Sequence, residues 1–295
     1  MKRTARLARR GAVVLVVTTL VLLGAGTVAV VDPPFPDDSK VADPRDPRDP
    51  RDPRLSLTVD VGRKQRAAQI TSTFENSTLE LQYDYVENIG DGRGVTAGRA
   101  GFTSATGDLL LVVRRYTEAK PGSVLAPYIP PLEAVNGTDS VQGLDGFADA
   151  WTEAAADPDF RGLQDELVDE LYFFPAMTMA ADAGIETPVG QMIVWDTMIQ
   201  HGAGGDNGTR AIIEETQRSA GLIGEDESAW LDAFLDVRLR HLVDMYRGTT
   251  ENADVSSGSR VEALRSLVQE SNLALELPLT WEVYGDRFEL LARDD

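Results

Sequence analysis

The sequence predicts a mainly α fold with one small, glycine-rich β element near the front of the domain. From Phe147 onward, apolar residues recur at helical spacing in one segment after another, as with Leu163, Leu167 and Leu171. Pro188 to His201 is the most apolar of these segments, with proline at its first position and Gly202-Ala203-Gly204-Gly205 behind it, the ends expected of a central helix. Gly90 to Gly101, by contrast, holds five glycines, too many for a helix interior, and reads as short strands and turns.

The domain runs from about Leu55 to Asp295. Arg63 to Phe74 reads as a helix with Ala67, Ile70 and Phe74 on one face, stopped by Asn76-Ser77. Thr78 to Val86 is a second short helix or an extended turn. Gly107 to Thr117 is apolar enough for a helix, with Thr106-Gly107-Asp108 placed to cap it. Ser123 to Tyr128 is short and ends at Pro130-Pro131. Phe147 to Ala156 forms a helix around Trp151. Asp157 to Phe174 forms a longer one, with Asp157 as cap and Pro158 in its first position. Glu227 to Arg247 and Val261 to Leu275 are amphipathic helices. Pro278 to Leu291, with Trp281 and Tyr284, closes as a strand or irregular tail.

Two segments precede the domain. Residues 1–31 combine a basic start (Lys2, Arg3, Arg6, Arg9, Arg10) with an uncharged apolar run from Gly11 to Val31. Such a run is a secretory signal, or at about 20 residues a membrane anchor if it is not cleaved. Either way the domain is expected outside the cell, with membrane contact only through residues 11–31. Residues 32–54 are a linker in which Asp-Pro-Arg repeats four times up to Arg54. Proline at every third position forbids a helix and favours an extended spacer.

Composition narrows the function. With no cysteine, disulfides, thiolate metal sites and a cysteine nucleophile are excluded. Two histidines are too few for most histidine-based metal centres, and no metal or cofactor is expected. The Gly-Asp-Gly-Arg-Gly run lacks the lysine of a phosphate loop and the spacing of a dinucleotide fingerprint; no Gly-x-Ser-x-Gly occurs. The net charge is −20, and the first 31 residues carry five positive charges, so the remainder stands near −25. That surface repels nucleic acid and attracts polycations; solubility or adaptation to salt explains it more simply.

Two carboxylates have contrasting settings. Glu75 follows Phe74 at a helix end, where loss of solvation would suit a general acid; from its position alone, it reads more simply as a solvated terminal glutamate. Asp91 lies between Gly90 and Gly92 with Arg93 beside it, a setting for an ionised general base or simply a hairpin tip. A pair of carboxylates flanking one cleft is the minimum equipment for glycoside hydrolysis. Thr96, five residues on, offers a hydroxyl that could hold a water.

The order of several elements resembles the family 46 chitosanases. They are Glu75-Asn76-Ser77, Ile89-Gly90-Asp91-Gly92-Arg93-Gly94, Thr106-Gly107-Asp108, Tyr172-Phe173-Phe174-Pro175-Ala176, Trp195-Asp196, His201-Gly202, Phe234-Leu235-Asp236-Val237-Arg238, Arg260-Val261, and Leu277-Pro278-Leu279 with Trp281 and Tyr284-Gly285-Asp286. The likeness spans about Arg66 to Tyr284. It implies a lysozyme-like fold of two lobes around a cleft, with the small sheet in the minor lobe. It implies endo-acting, inverting hydrolysis of chitosan by a monomer, with Glu75 as acid, Asp91 as base and Thr96 positioning the water. Ser77, Tyr85, Arg93, Asp108, Tyr172 and His201 match cleft-lining positions. Asp196, Arg238 and Arg260 match an internal network that supports the base. This chain departs from the family in a shorter stretch between Glu75 and Asp91, without a tryptophan common there, and in Val95, where an aromatic is expected. A lysozyme-like muramidase, or a non-catalytic carbohydrate-binding surface protein, are the alternatives.

Overall fold

The computed structural model describes residues 56–88, 90, 92–224, 226–245, 253–270 and 272–292. The targeting segment, the Asp-Pro-Arg linker and Asp91 lie outside these. Among the described residues no helix is long and apolar enough to cross a membrane.

Eleven α-helices are described. A short α1 (Ser56–Val59) leads into α2 (Val61–Asn76), whose first turn is capped by Asp60 accepting from the Arg63 N–H. The chain then extends rather than coiling into a second helix, and β1 (Val86–Glu87), β2 (Thr96–Ala97) and β3 (Phe102–Thr103) form an antiparallel sheet in the order β1-β2-β3. Val86 pairs with Ala97, Glu87 with Thr96, Thr96 with Thr103 and Ala97 with Phe102. Next come α3 (Asp108–Ala119), α4 (Ile129–Val135), α5 (Phe147–Ala155) and α6 (Pro158–Val168). They are followed by α7 (Phe174–Ala183), α8 (Pro188–His201), α9 (Thr209–Ala220), α10 (Glu227–Met245) and α11 (Ala253–Gln269). A hairpin of β4 (Leu279–Val283) and β5 (Asp286–Leu290) closes the chain, entered through a cis Leu277–Pro278 bond.

Three expectations are revised. Pro130 and Pro131 stand in the first turn of α4 instead of ending a helix; proline's missing N–H costs nothing there, because that donor has no intrahelical partner anyway. The run expected from Asp157 to Phe174 is interrupted by a π turn over Asp169–Phe173. That turn rotates the stripe, so Leu167 is buried while Leu171 is exposed. The helix expected at Val261–Leu275 begins earlier and ends at Gln269.

Helix α8 is the axis of the fold. All fourteen of its residues are buried, and it packs against α2, α7, α9, α10 and α11. Thr187 caps it by accepting from the Gly190 N–H, and Pro188 opens it where the sequence predicts the start. Because it has no solvent face, its polar residues must find partners inside the protein. Gln191 and Thr197 are among these, and so are Asp196, Gln200 and His201, which turn this core helix into one wall of a site.

Candidate active site

The end of α2 is held from three sides. Trp281 Nε1 donates to Thr73 Oγ1 at 2.9 Å, Tyr284 Oη donates to the Phe74 carbonyl at 3.1 Å, and the Arg260 guanidinium lies 5.3 Å over the Phe74 ring. Burial pushes the Tyr284 hydroxyl up to about 12, so it keeps its proton and remains a donor. Ser77 leaves the helix in a left-handed conformation, φ 51°, which turns the chain away immediately after Glu75. The Glu75 side chain is left 9% exposed, at the boundary between core and cleft.

A row of charges runs inward from Glu75. Arg260 Nη1 donates to Glu75 Oε1 at 2.5 Å. The same guanidinium grips Asp196 through Nη2 to Oδ1 at 2.8 Å and Nε to Oδ2 at 3.1 Å. Arg238 Nη2 reaches Asp196 Oδ2 at 2.8 Å and Gln200 Oε1 at 2.6 Å. Burial alone would push the Asp196 carboxyl up, but Arg260 and Arg238 outweigh it and hold the group below the usual carboxylate range. Burial likewise opposes the charge on Arg260, yet Asp196 and Glu75 keep it firmly protonated. The three expected network residues therefore meet, and their described outer end is Glu75. Glu75 Oε2 has no hydrogen-bond partner among the described residues, so one oxygen is fixed and the other is available.

The sheet builds the opposite wall. Gly94 has φ 73°, and a Cβ there would lie 2.2 Å from Ser104 Oγ, so only glycine allows the loop to close onto β3. Ser104 Oγ then accepts from the Val95 N–H at 3.0 Å, fixing the approach to Thr96. Glu87, Thr96 and Thr103 are directly paired across the sheet. Thr103 leads to Asp108: its N–H donates to Asp108 Oδ1 at 2.7 Å, and that oxygen also accepts from Thr106 Oγ1 at 2.6 Å and the Leu109 N–H at 2.9 Å. Burial raises the Asp108 carboxyl, and these hydrogen bonds counter it only in part. Thr96 Oγ1 is buried with no partner among the described residues, which leaves a hydroxyl for a water or ligand atom.

Tyr172 ties the two walls together. It sits in the π turn before α7, and its hydroxyl is raised by burial first and then by Asp108 and Glu75, with Arg93 pulling the other way. One half-buried phenol thus senses Glu75 on α2 and both Arg93 and Asp108 on the sheet side. His201 ends α8. Its Nδ1 contacts the Asn207 carbonyl at 2.8 Å, which can only accept, so Nδ1 carries the hydrogen. Burial and Arg238 hold this imidazole well below its ordinary range, leaving Nε2 as a buried lone pair with no partner. Tyr85 lies nearer the rim, with its hydroxyl 3.3 Å from Glu87 Oε2. Asp91 itself is outside the described residues; Gly90 and Gly92 on either side both adopt positive φ.

Residues 69–279 match glycosyl hydrolase family 46. A chitosanase of Bacillus subtilis (strain 168) is 45% identical over 223 residues, which cover 74% of this chain and 80% of that protein.

The chain belongs to glycosyl hydrolase family 46.

Two solved structures agree with that placement. The native chitosanase from Bacillus subtilis MY002 has a TM-score of 0.72 at 42% identity and covers 77% of this chain and 98% of its own. The Gynuella sunshinyii family 46 chitosanase in complex with chitotetraose has a TM-score of 0.71 at 40% identity, over 79% and 99%. The protein is therefore a glycoside hydrolase with the lysozyme-like, mainly α fold of this family, carrying small antiparallel sheets.

Gln200 and Tyr284 were not singled out as site residues. Gln200 is four residues beyond Asp196 on α8, so helical spacing already places both on one face. Tyr284 gives no local signal, because its contact with Phe74 spans 210 residues.

Proposed function

We propose that this hydrolase is an endo-acting chitosanase that cleaves β-1,4 bonds with inversion. Glu75 is the general acid, Asp91 the general base, and Thr96 holds the attacking water. The observation that supports this best is the state of Glu75: Oε1 is anchored by Arg260 while Oε2 has no partner among the described residues. An anchored carboxyl can present a proton to a leaving oxygen in one orientation. The unpartnered Thr96 hydroxyl on the sheet side suits a water attacking from the other face. Ser77, Tyr85, Arg93, Asp108, Tyr172 and His201 would line the sugar path, with His201 Nε2 accepting from a hydroxyl or ammonium.

Chitosan is the polymer this charge pattern selects. Its amines are protonated in acid, and a surface near −25 concentrates a polycation around the cleft. The deciding experiment is reducing-end release from highly deacetylated chitosan by the purified protein, with the anomer of the first products read by NMR. Initial formation of the α-anomer from β-linked polymer is expected. Lysis of a cell-wall suspension without sugar release from chitosan would instead favour the muramidase reading, and binding without release a non-catalytic one.

Asp108 should carry part of the charge recognition. Asp108→Asn is expected to raise KM about tenfold with a smaller effect on kcat, the scale of losing one hydrogen bond to a charged group. Because burial raises this carboxyl, its charge is lost at higher pH than for an ordinary aspartate. Wild-type KM should therefore rise as pH falls toward about 4, and the variant's should not. Near 1 M salt the Debye length is about 3 Å, so KM should rise with salt more than kcat falls. A KM indifferent to salt and to acetylation would remove electrostatic selection.

The protein acts outside the cell as a monomer, released or tethered through residues 11–31, with the Asp-Pro-Arg tract as spacer. Intact-mass analysis of protein recovered from the medium should find residues 1–31 removed; recovery only in membranes would identify the anchor.

A further inference from the structure

Beside Glu75 lies a small cavity of about 30 Å³, bounded by Thr71 and Glu75 of α2, Trp195 and Ile199 of α8, Val168, and Arg99 from the turn before β3. Two of its lining side chains are polar atoms without partners. Thr71 Oγ1 and Trp195 Nε1 are both buried, and neither makes a hydrogen bond among the described residues.

Both atoms are exceptions to how this chain treats such groups. Thr178, Thr197 and Thr216 each return their hydroxyl to the carbonyl four residues back, at 3.0, 2.7 and 2.8 Å, and Thr73 does so three back at 2.7 Å. Thr71 does not. Trp151, Trp230 and Trp281 donate their indole N–H to Tyr83 O, Gly221 O and Thr73 Oγ1. Trp195 alone among the four tryptophans has no acceptor among the described residues. An indole N–H can only donate, and leaving such a group buried and unmet costs about 1–3 kcal/mol. Two such orphans lining one cavity next to a carboxyl call for a shared partner that accepts from both.

We infer that this cavity is a built site for one internal water, held by Thr71 and Trp195, which donates to the Glu75 carboxyl and helps to position it. The room suffices, since a water needs roughly 10–15 Å³ measured in this way and two to four polar partners. Water accepts from the Trp195 N–H and the Thr71 hydroxyl and keeps its hydrogens for Glu75. Arg99 is directed to other partners, its Nη1 paired with Asp165 and its guanidinium lying 5.8 Å over the Tyr83 ring. Thr71 stands one helical turn before Glu75, so the water fastens the carboxyl to its own helix while Arg260 fastens it to the core. Thr71 and Trp195 are thus positioning residues for the acid, an inference resting on the role of Glu75 proposed above.

The test combines crystallography and kinetics on wild type, Thr71→Val, Thr71→Ser and Trp195→Phe. Wild type and Thr71→Ser should show an ordered water within about 3.2 Å of residue 71 Oγ and Trp195 Nε1, and Thr71→Val should lose or disorder it. Thr71→Val, with shape kept and the hydroxyl gone, should lower kcat about three- to tenfold at unchanged KM, the scale of one hydrogen bond. Thr71→Ser should restore kcat, while the melting temperature of Thr71→Val stays at or above wild type. Trp195→Phe, which keeps a ring against Phe173, should repeat the kcat loss. A dry wild-type cavity, wild-type kcat in Thr71→Val, or a loss carried by KM would each overturn the inference. Failure of the acid assignment is read separately: Glu75→Gln would then stay active, whereas the water density does not depend on that role.

Discussion

Glu75→Gln and Asp91→Asn should each lower kcat by about 10²–10⁴-fold, the usual contribution of a general acid or base, with the melting temperature nearly unchanged. For Glu75 the reason is the division between its two oxygens. The amide oxygen of a glutamine can still accept from Arg260 Nη1, so the contact at 2.5 Å and the end of α2 survive. The other position becomes an NH₂ that cannot release a proton to a leaving oxygen. Arg260 keeps both of its bonds to Asp196, so no buried cation is stranded. Asp91→Asn acts differently: it removes the acceptor that takes a proton from water between two conformationally free glycines, and KM should hold because the other cleft residues are untouched. Turnover near wild type in either folded, purified variant would take that residue out of the mechanism.

How much could be read beforehand varied with how locally each feature is encoded. Helix α8 was legible to the residue because Pro188 starts it and Gly202 stops it, both by rules of chain geometry. The sheet was legible as glycine-rich turns, but its register was not, since pairs such as Thr96 with Thr103 arise from closure of the Gly94 loop onto Ser104. Helix α9 escaped because its buried face uses Thr209 and Thr216 beside Ile212 and Ile213, and threonine dilutes the apolar period. The π turn escaped because Leu163, Leu167 and Leu171 keep perfect spacing on paper. At the site, residue types near the carboxylates could be named from motif order, and the Tyr172 hydroxyl feels the charges of Asp108, Arg93 and Glu75 together. That Arg260 would link Asp196 to Glu75 could not be derived from local pattern, because those contacts span 64 and 185 residues.

That link makes Asp196→Ala the most damaging single substitution expected for stability. Arg238 and Arg260 are both buried, and Asp196 is the anion they share. Without it, two guanidiniums remain in the core with only Gln200 and Glu75 to answer them. Removing one partner of a buried ion pair costs about 3–5 kcal/mol. For a domain of this size that corresponds to a fall of roughly 6–20 °C in melting temperature. Activity should drop as well, since Arg260 would be free to swing toward Glu75 and disturb the acid it now holds. The pH dependence distinguishes this from simple loss of packing. Asp196 is held below the usual carboxylate range when folded, so its contribution is complete above its ordinary value near 3.9. It is lost only as pH falls through the lower, folded value. Melting temperatures of wild type and Asp196→Ala should therefore differ most near neutrality and converge in acid, below about pH 4. Asp196→Asn, which keeps one acceptor oxygen, should lie between the two. A variant that melts with wild type at pH 7 would mean that the two arginines are satisfied without Asp196, and that the row of charges behind Glu75 does not hold the site together.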